Sequence, residues 1–403
     1  MRRPGSLPRT LAAGLALIAA AAGLLAGACA TAPQPEAPAP PVAASVKAAR
    51  DLGVAWLVSH QNADGSFGTF ESARPNEIFL DTLASHRAFS VATSALCTWA
   101  LLAPGRTDPA AQQAFERGLA WLLATPPVGR ATGHTFYDTW AHNYLLDLAA
   151  AVLADPALER WHGATREVAA REVLLARDRQ SLNGGWGYYD FGASLVNPSG
   201  EQSTSFNTAA MILALLRVRE RGVAVPDPMM ADALVALERF RLPSGAFIYG
   251  TYAELRPQAG YNTLDGSSGR LQVCTLALRK SGVPVDDQTL LDGVDQLRRR
   301  HHYIAIGRGR PIPHEAFYYN SGYYYFFGHF YAAEVLRTLP ESPRREDLAS
   351  WLGDVFRADQ HVDGSWFDYP LYGYGHAYAT AYSVLALTAL EELRPAAPPA
   401  GRG

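Results

Sequence analysis

QHVDGSWFDYP, Gln360–Pro370, has a glutamine, then Gly364 four residues on and Trp366 two further. The pattern recurs as QNADGSFG from Gln61, QSLNGGWG from Gln180 and, with Arg241 for the glutamine, RLPSGAFIYG. Starts at 61, 180, 241 and 360 are separated by 119, 61 and 119 residues, so the unit is about 60 residues with two slots occupied differently. Those slots hold GRATGHTFYDTWAHNYLLDLAAAVL and GRPIPHEAFYYNSGYYYFFGHFYAAEVL, which resemble each other and place His134 and His314 180 residues apart. Six repeats follow, as a duplicated block of three. A fixed period of this size indicates a solenoid or a closed ring.

Between the slots the apolar residues keep helical spacing. A helix such as DLGVAWLVSH or LASWLGDVFRADQ precedes each slot, and a more apolar one such as ATSALCTWALLAPG or ATAYSVLALTALEEL follows it. Gly or Pro closes most of them, as helix ends require. Twelve helices alternating in polarity predict an all-α fold, an (α/α)6 toroid with six inner helices, six outer helices and a central cavity.

Gln-x3-Gly-x-Trp resembles the QW motif of squalene–hopene and oxidosqualene cyclases, and the whole repeat is similar to the terpenoid cyclase/protein prenyltransferase toroid over residues 46–395. Gln180 with Trp186 and Gln360 with Trp366 match strictly; Gln61 with Phe67, and Phe247, are variants. The resemblance implies that these residues are structural, tying neighbouring repeats together, with the glutamine capping a helix end. It does not by itself imply a reaction.

The family's chemical signatures are missing. There is no Asp-x-Asp-Asp acid loop and no Asp-Asp-x-x-Asp; Asp286-Asp287 opens an outer helix, where acids complement the dipole. His376 lies where a zinc prenyltransferase has its last ligand, but Asn320-Ser321-Gly322-Tyr323 supplies no thiolate. A zinc site needs about four N, S or O ligands, so no metal and no cofactor is expected. The thioester Cys-Gly-Glu-Gln is also absent, and no nucleophile elbow supports acyl transfer.

Aligned on their apolar cores, the inner helices put Thr93, Tyr144, Thr208, Arg270, Phe327 and Thr380 at one level. Phe89, Trp140, Thr204, Gly266, Tyr323 and His376 lie one turn earlier. Residues four apart share a helix face, so these predict two rings around a polar-aromatic cavity, with ordinary helix–helix packing as the competing reading. The ligand-binding candidates are Arg87, Arg270, His134 and His314, with Trp140, Tyr323, Tyr324 and Tyr378 as walls. Asp138 with His142 or His376 would carry acid–base work in an enzyme. Asp368 and Tyr369, just past the sixth motif, are the part of it open to a chemical role.

Arg2, Arg3 and Arg9 precede the apolar run LAAGLALIAAAAGLLAGAC, a secretory pattern. Its end, Ala26-Gly27-Ala28-Cys29, resembles a bacterial lipobox, which implies lipidation at Cys29 and an exported, membrane-anchored protein facing periplasm or cell surface. Residues 30–45 read as a Pro/Ala linker, and 396–403 as a tail. Loss of the three arginines takes the formal charge from −3 to −6, which excludes the basic surface of a nucleic-acid binder. Cys97 and Cys274 open matching segments in repeats one and four, opposite one another, and are expected to be free buried thiols. The expected partner is a small-molecule, glycan or lipid ligand in the cavity. An extracytoplasmic enzyme, acting on a glycan or polymer or as a non-standard cyclase or transferase, and a plain scaffold are the alternatives.

Overall fold

Six repeats become six corners of a ring in the structure, a computed structural model that describes residues 43–71, 83–129, 137–188 and 202–393. The secretory segment, Cys29, the tail and His134 lie outside the described residues. Thirteen α-helices occur among those described, and no strand of a sheet.

The outer helices are α1 (Val46–Ser59), α3 (Pro109–Ala124), α5 (Glu159–Arg179), α7 (Asp227–Arg239), α9 (Asp287–Arg299) and α12 (Pro343–Ala358). The inner ones are α2 (Leu83–Gly105), α4 (Asp138–Ala154), α6 (Ser205–Arg219), α8 (Leu271–Lys280), α11 (Tyr325–Arg337) and α13 (Gly375–Glu392). A single turn, α10 (His301–Ala305), follows α9. Each inner helix packs on the next, α2 on α4, α6, α8, α11 and α13 in turn, and α13 packs back on α2. The ring is closed, as the six-repeat reading predicts.

Several outer helices begin with a side-chain cap. Ser45, Asp108, Asp286 and Ser342 each accept a backbone N–H from the first turn, and Pro109 and Pro343 supply a preset φ. Asp286 is thereby held below the usual carboxylate range by its bonds to Thr289. No such side-chain bond caps α4, α6, α8, α11 or α13, whose entry residues come from the loops around the mouth of the ring.

The repeated motif is a clasp. Gln61, Gln180 and Gln360 each donate Nε2 to the carbonyl of their own loop glycine and to a carbonyl near the start of the next outer helix. Those second carbonyls belong to Ala114, Met229 and Ala49, at 2.8, 2.9 and 2.8 Å. The amide therefore fills a second lone pair on a helical carbonyl and does not cap a free helix end, which corrects the role implied by the resemblance. The aromatic residue anchors the loop inward. Trp186 and Trp366 are fully buried and donate Nε1 to Ala176 O and Phe356 O. The backbone N–H groups of Phe67, Trp186 and Trp366 donate to Ser94, Thr208 and Thr380 on the following inner helix. Gly364 has φ +91°, and a Cβ there would stand 2.7 Å from Leu52 O of α1, so both the turn and the close approach require glycine. Arg241 is exposed, and the fourth slot lacks the amide clasp.

Cys97 and Cys274 are free and buried, on helices α2 and α8 that stand three places apart in the six-helix ring. The bore is filled below its mouth. Tyr144 and Tyr382 share a hydroxyl–hydroxyl bond of 2.6 Å, with Phe327, Phe330 and Tyr331 packed around them. At the far end Arg217 on α6 bonds Asp147 on α4 (2.6 Å) and Glu334 on α11 (2.9 Å) across the axis.

Candidate ligand cavity

Above that filling, the N-terminal halves of the inner helices surround a narrow cavity of about 70 Å³ that opens to solvent at the mouth of the ring. Phe89 and Thr93 come from α2, Trp140 and Tyr144 from α4, Phe206 from α6, Phe327 from α11 and Tyr378 from α13. Tyr137, Tyr188, Tyr323, Tyr324 and Tyr369 complete the wall from the loops. Among the described lining residues none is charged. The rings brace one another: Trp140 lies within 5.9–6.1 Å of Phe206 and Phe327, and Phe206 meets Tyr324 edge-on at 5.1 Å. Such arrangements suit the aromatic quadrupole and present both faces and edges to the space between.

The wall has one polar corner. Tyr188 and Tyr249 hydroxyls are 2.5 Å apart, Tyr249 and Tyr323 hydroxyls 3.3 Å, and Tyr323 Oη is 2.9 Å from His314 Nε2. His314 Nδ1 stands 2.8 Å from Tyr319 O, an acceptor only, so Nδ1 carries the proton and Nε2 the lone pair. Burial lowers the His314 pKa to about 4, so the ring is neutral at pH 7. His314 itself has φ +62°, and Tyr318 and Tyr319 are also left-handed. This loop carries three strained non-glycine residues, which the surrounding packing must hold in place.

A second polar group stands beside the wall. Asp368 is fully buried; Oδ2 accepts the N–H of Phe326 at the start of α11 (3.3 Å), and Oδ1 has no hydrogen-bond partner. Burial pushes its carboxyl up to about 8, although Phe326 N–H and the Arg308 charge oppose this, so it is protonated at neutral pH. Its charge, if formed, would act on Tyr144 and Tyr378, both cavity residues.

The charged candidates from sequence do not meet in this cavity. Asp138 is buried against Arg179 of α5 at 2.7 Å. His142 is buried in the α4–α5 interface, bonded to Glu172 at 2.6 Å, and Glu172 is held below its usual pKa by His142 and Arg171 despite burial. Arg87 reaches Pro126 O at the surface. Arg270 is buried behind the wall, donating to Gly266 O and Tyr261 O and lying 5.0 and 5.3 Å from the Tyr249 and Tyr324 ring centres. His376 is exposed and stacked on Phe367 at 4.7 Å, with burial of its ring lowering its pKa. The physical reason is shared: an ionised group in an apolar bore is costly unless paired, and each of the five residues has found partners elsewhere. A polar-aromatic cavity with charged anchors thus becomes an aromatic one. Thr208 and Thr380, expected on its wall, are taken up by the clasps. Trp140, Tyr323, Tyr324 and Tyr378 line it, and His314 stands behind Tyr323.

Tyr188, Tyr249 and Asp368 share a feature legible only in hindsight. Each lies two residues beyond the clasp aromatic of its repeat, after Trp186, Phe247 and Trp366 respectively. The amide clasp fixes that loop in the third and sixth repeats, and the backbone bonds Leu242 N to Ala246 O and Ile248 N to Phe240 O fix it in the fourth.

No protein-family profile matches the chain. Over 200 residues, 48% of its length, it is 27% identical to drimenyl diphosphate synthase of Streptantibioticus cattleyicolor, and it spans 30% of that protein. Its structure is similar to an α-1,6-mannanase of Salegentibacter sp. solved as an inactive variant with α-1,6-mannotetrose (TM-score 0.54, 11% identity, 87% of this chain and all of that one). It is also similar to cellobiose 2-epimerase of Spirochaeta thermophila (0.53, 14%, 86% and 98%). The type II terpene cyclase MstE of Scytonema scores 0.49 at 12% identity, over 86% and 96%. The chain folds as an α/α toroid, the architecture it shares with the mannanase and the epimerase.

Proposed function

We propose that the toroid binds an apolar, isoprenoid-like chain in its aromatic cavity, and that the protein is exported and held at a membrane by lipid on Cys29. The observation that carries the ligand class is the described lining itself: aromatic rings from five inner helices and the mouth loops, without a charged side chain. A glycan site would need convergent polar groups and, for hydrolysis, a pair of carboxylates; Asp138, Asp147 and Glu172 are instead tied to neighbouring helices. The match to a diphosphate-forming terpenoid enzyme supports the same class without extending its activity to this chain.

Titration of the purified protein with farnesol, followed by calorimetry, tests binding; Trp140→Ala is expected to weaken it about tenfold through lost ring contact. Failure of any C15 chain to bind while a mannooligosaccharide does would refute the ligand class. Fatty-acid labelling that persists in Cys29→Ser would refute the anchor.

A further inference from the structure

Resting on the apolar-ligand reading, the polar corner says what the ligand's head must be. We infer that the cavity selects an isoprenoid-like chain bearing a hydroxyl, a hydrogen-bond donor, which it receives on the oxygen of Tyr323, and that it disfavours ethers, carbonyls and diphosphates.

Tyr319 O accepts from His314 Nδ1, so the neutral ring offers Nε2 as an acceptor, 2.9 Å from Tyr323 Oη. Two hydroxyls reach His314 Nε2, Tyr323 at 2.9 Å and Tyr249 at 3.4 Å, and the shorter contact spends the one Tyr323 proton on the histidine. What remains on the oxygen is acceptor capacity, part of it met by Tyr249 Oη at 3.3 Å. Tyr323 is half-buried and lines the cavity, so its side chain meets a ligand held there. A hydroxyl arriving there completes the network. An ether or carbonyl oxygen would face lone pairs with no proton between them, and a desolvated acceptor left without a donor loses the bond and pays for its dehydration.

The same corner is ill suited to a diphosphate. The nearest described cation, Arg270, sits behind Tyr249 and Tyr324, with its guanidinium engaged by the carbonyls of Gly266, Tyr261 and Phe247. A multiply charged head has no described counter-charge on the cavity side.

The experiment compares farnesol, farnesyl methyl ether and farnesyl diphosphate by calorimetric titration against the unaltered protein, Tyr323→Phe and His314→Ala. The unaltered protein is expected to bind farnesol roughly 5–10-fold more tightly than the ether, and the diphosphate more weakly than either. Tyr323→Phe is expected to make alcohol and ether equal. His314→Ala is expected to release the Tyr323 proton for donation and so raise ether affinity toward that of the alcohol, an inversion that a merely loosened loop would not produce. Equal binding of alcohol and ether by the unaltered protein, or a preference for the diphosphate, overturns the inference while leaving the apolar cavity standing. Binding of none of the three overturns the cavity reading itself. Should either variant fail to fold by its circular dichroism, the comparison on the unaltered protein decides alone.

Discussion

Gln360 donates its amide to Ala49 O at 2.8 Å, joining the sixth repeat to the first helix of the ring. The two residues are 311 positions apart, and the bond is buried. The equivalent bond from Gln61 to Ala114 spans 53 positions and is partly exposed. Gln360→Ala leaves a buried carbonyl on Gly364 without that donor and unlatches the ring where no chain continuity backs it up. The expected cost is about 1–3 kcal/mol, against less for Gln61→Ala, measured by urea unfolding. An equal or smaller loss at Gln360 would mean that the clasp does not help to close the ring.

Asp368 ties the stability of the fold to pH. Its folded pKa, about 8, lies above the ordinary 3.8, so between those values the folded protein keeps a proton that the unfolded chain gives up. The advantage is complete below about pH 4 and is lost as pH rises toward 8, with a slope near 1.4 kcal/mol per pH unit at its steepest. His314, lowered to about 4, works in the opposite sense between about pH 4 and 6.5. Comparing Asp368→Asn with the unaltered protein cancels the histidine. Asparagine retains an acceptor for Phe326 N–H, so the variant is expected to be the more stable by a few kcal/mol at pH 8 and similar at pH 4. Parallel melting curves across that range would show that Asp368 ionises normally.

Much of the architecture could be read from spacing because Gln, Gly and Trp each answer a backbone need that recurs once per corner. Gly364 must adopt a positive φ against Leu52, and Trp366 must fill the gap between α12 and α13. The site was less legible. Arg270, Asp138 and His376 align with aromatic positions by helix turn, but register along a helix does not say which side a long side chain takes. Arg270 precedes the first residue of α8 and turns back on the carbonyls of its own loop. Tyr188, Tyr249 and Asp368 lie in loops, where neither helical nor strand periodicity speaks. Only a constant offset from the motif aromatic marks Tyr188 and Tyr249, whereas Asp368 stands out by directly following the sixth motif.

Arg217 closes the end of the bore away from the mouth. It holds Asp147 and Glu334 from opposite helices and lies 5.5 Å from the ring centre of Trp99. Burial raises Asp147 to about 6 even with the guanidinium present, and Glu334 adds to that rise. Arg217→Met would leave Asp147 without its cation while Glu334 keeps Arg337 at 2.9 Å, and removing one partner of a buried pair costs about 3–5 kcal/mol. The loss should be largest at pH 8, above the Asp147 pKa of about 6, and smaller near pH 5, where Asp147 is protonated. Farnesol affinity at pH 5, measured on folded protein, should be unchanged, because the Tyr144–Tyr382 layer separates the knot from the cavity. A destabilisation independent of pH would show that Arg217 acts through packing on Trp99. Loss of farnesol binding would show that the two ends of the bore are coupled.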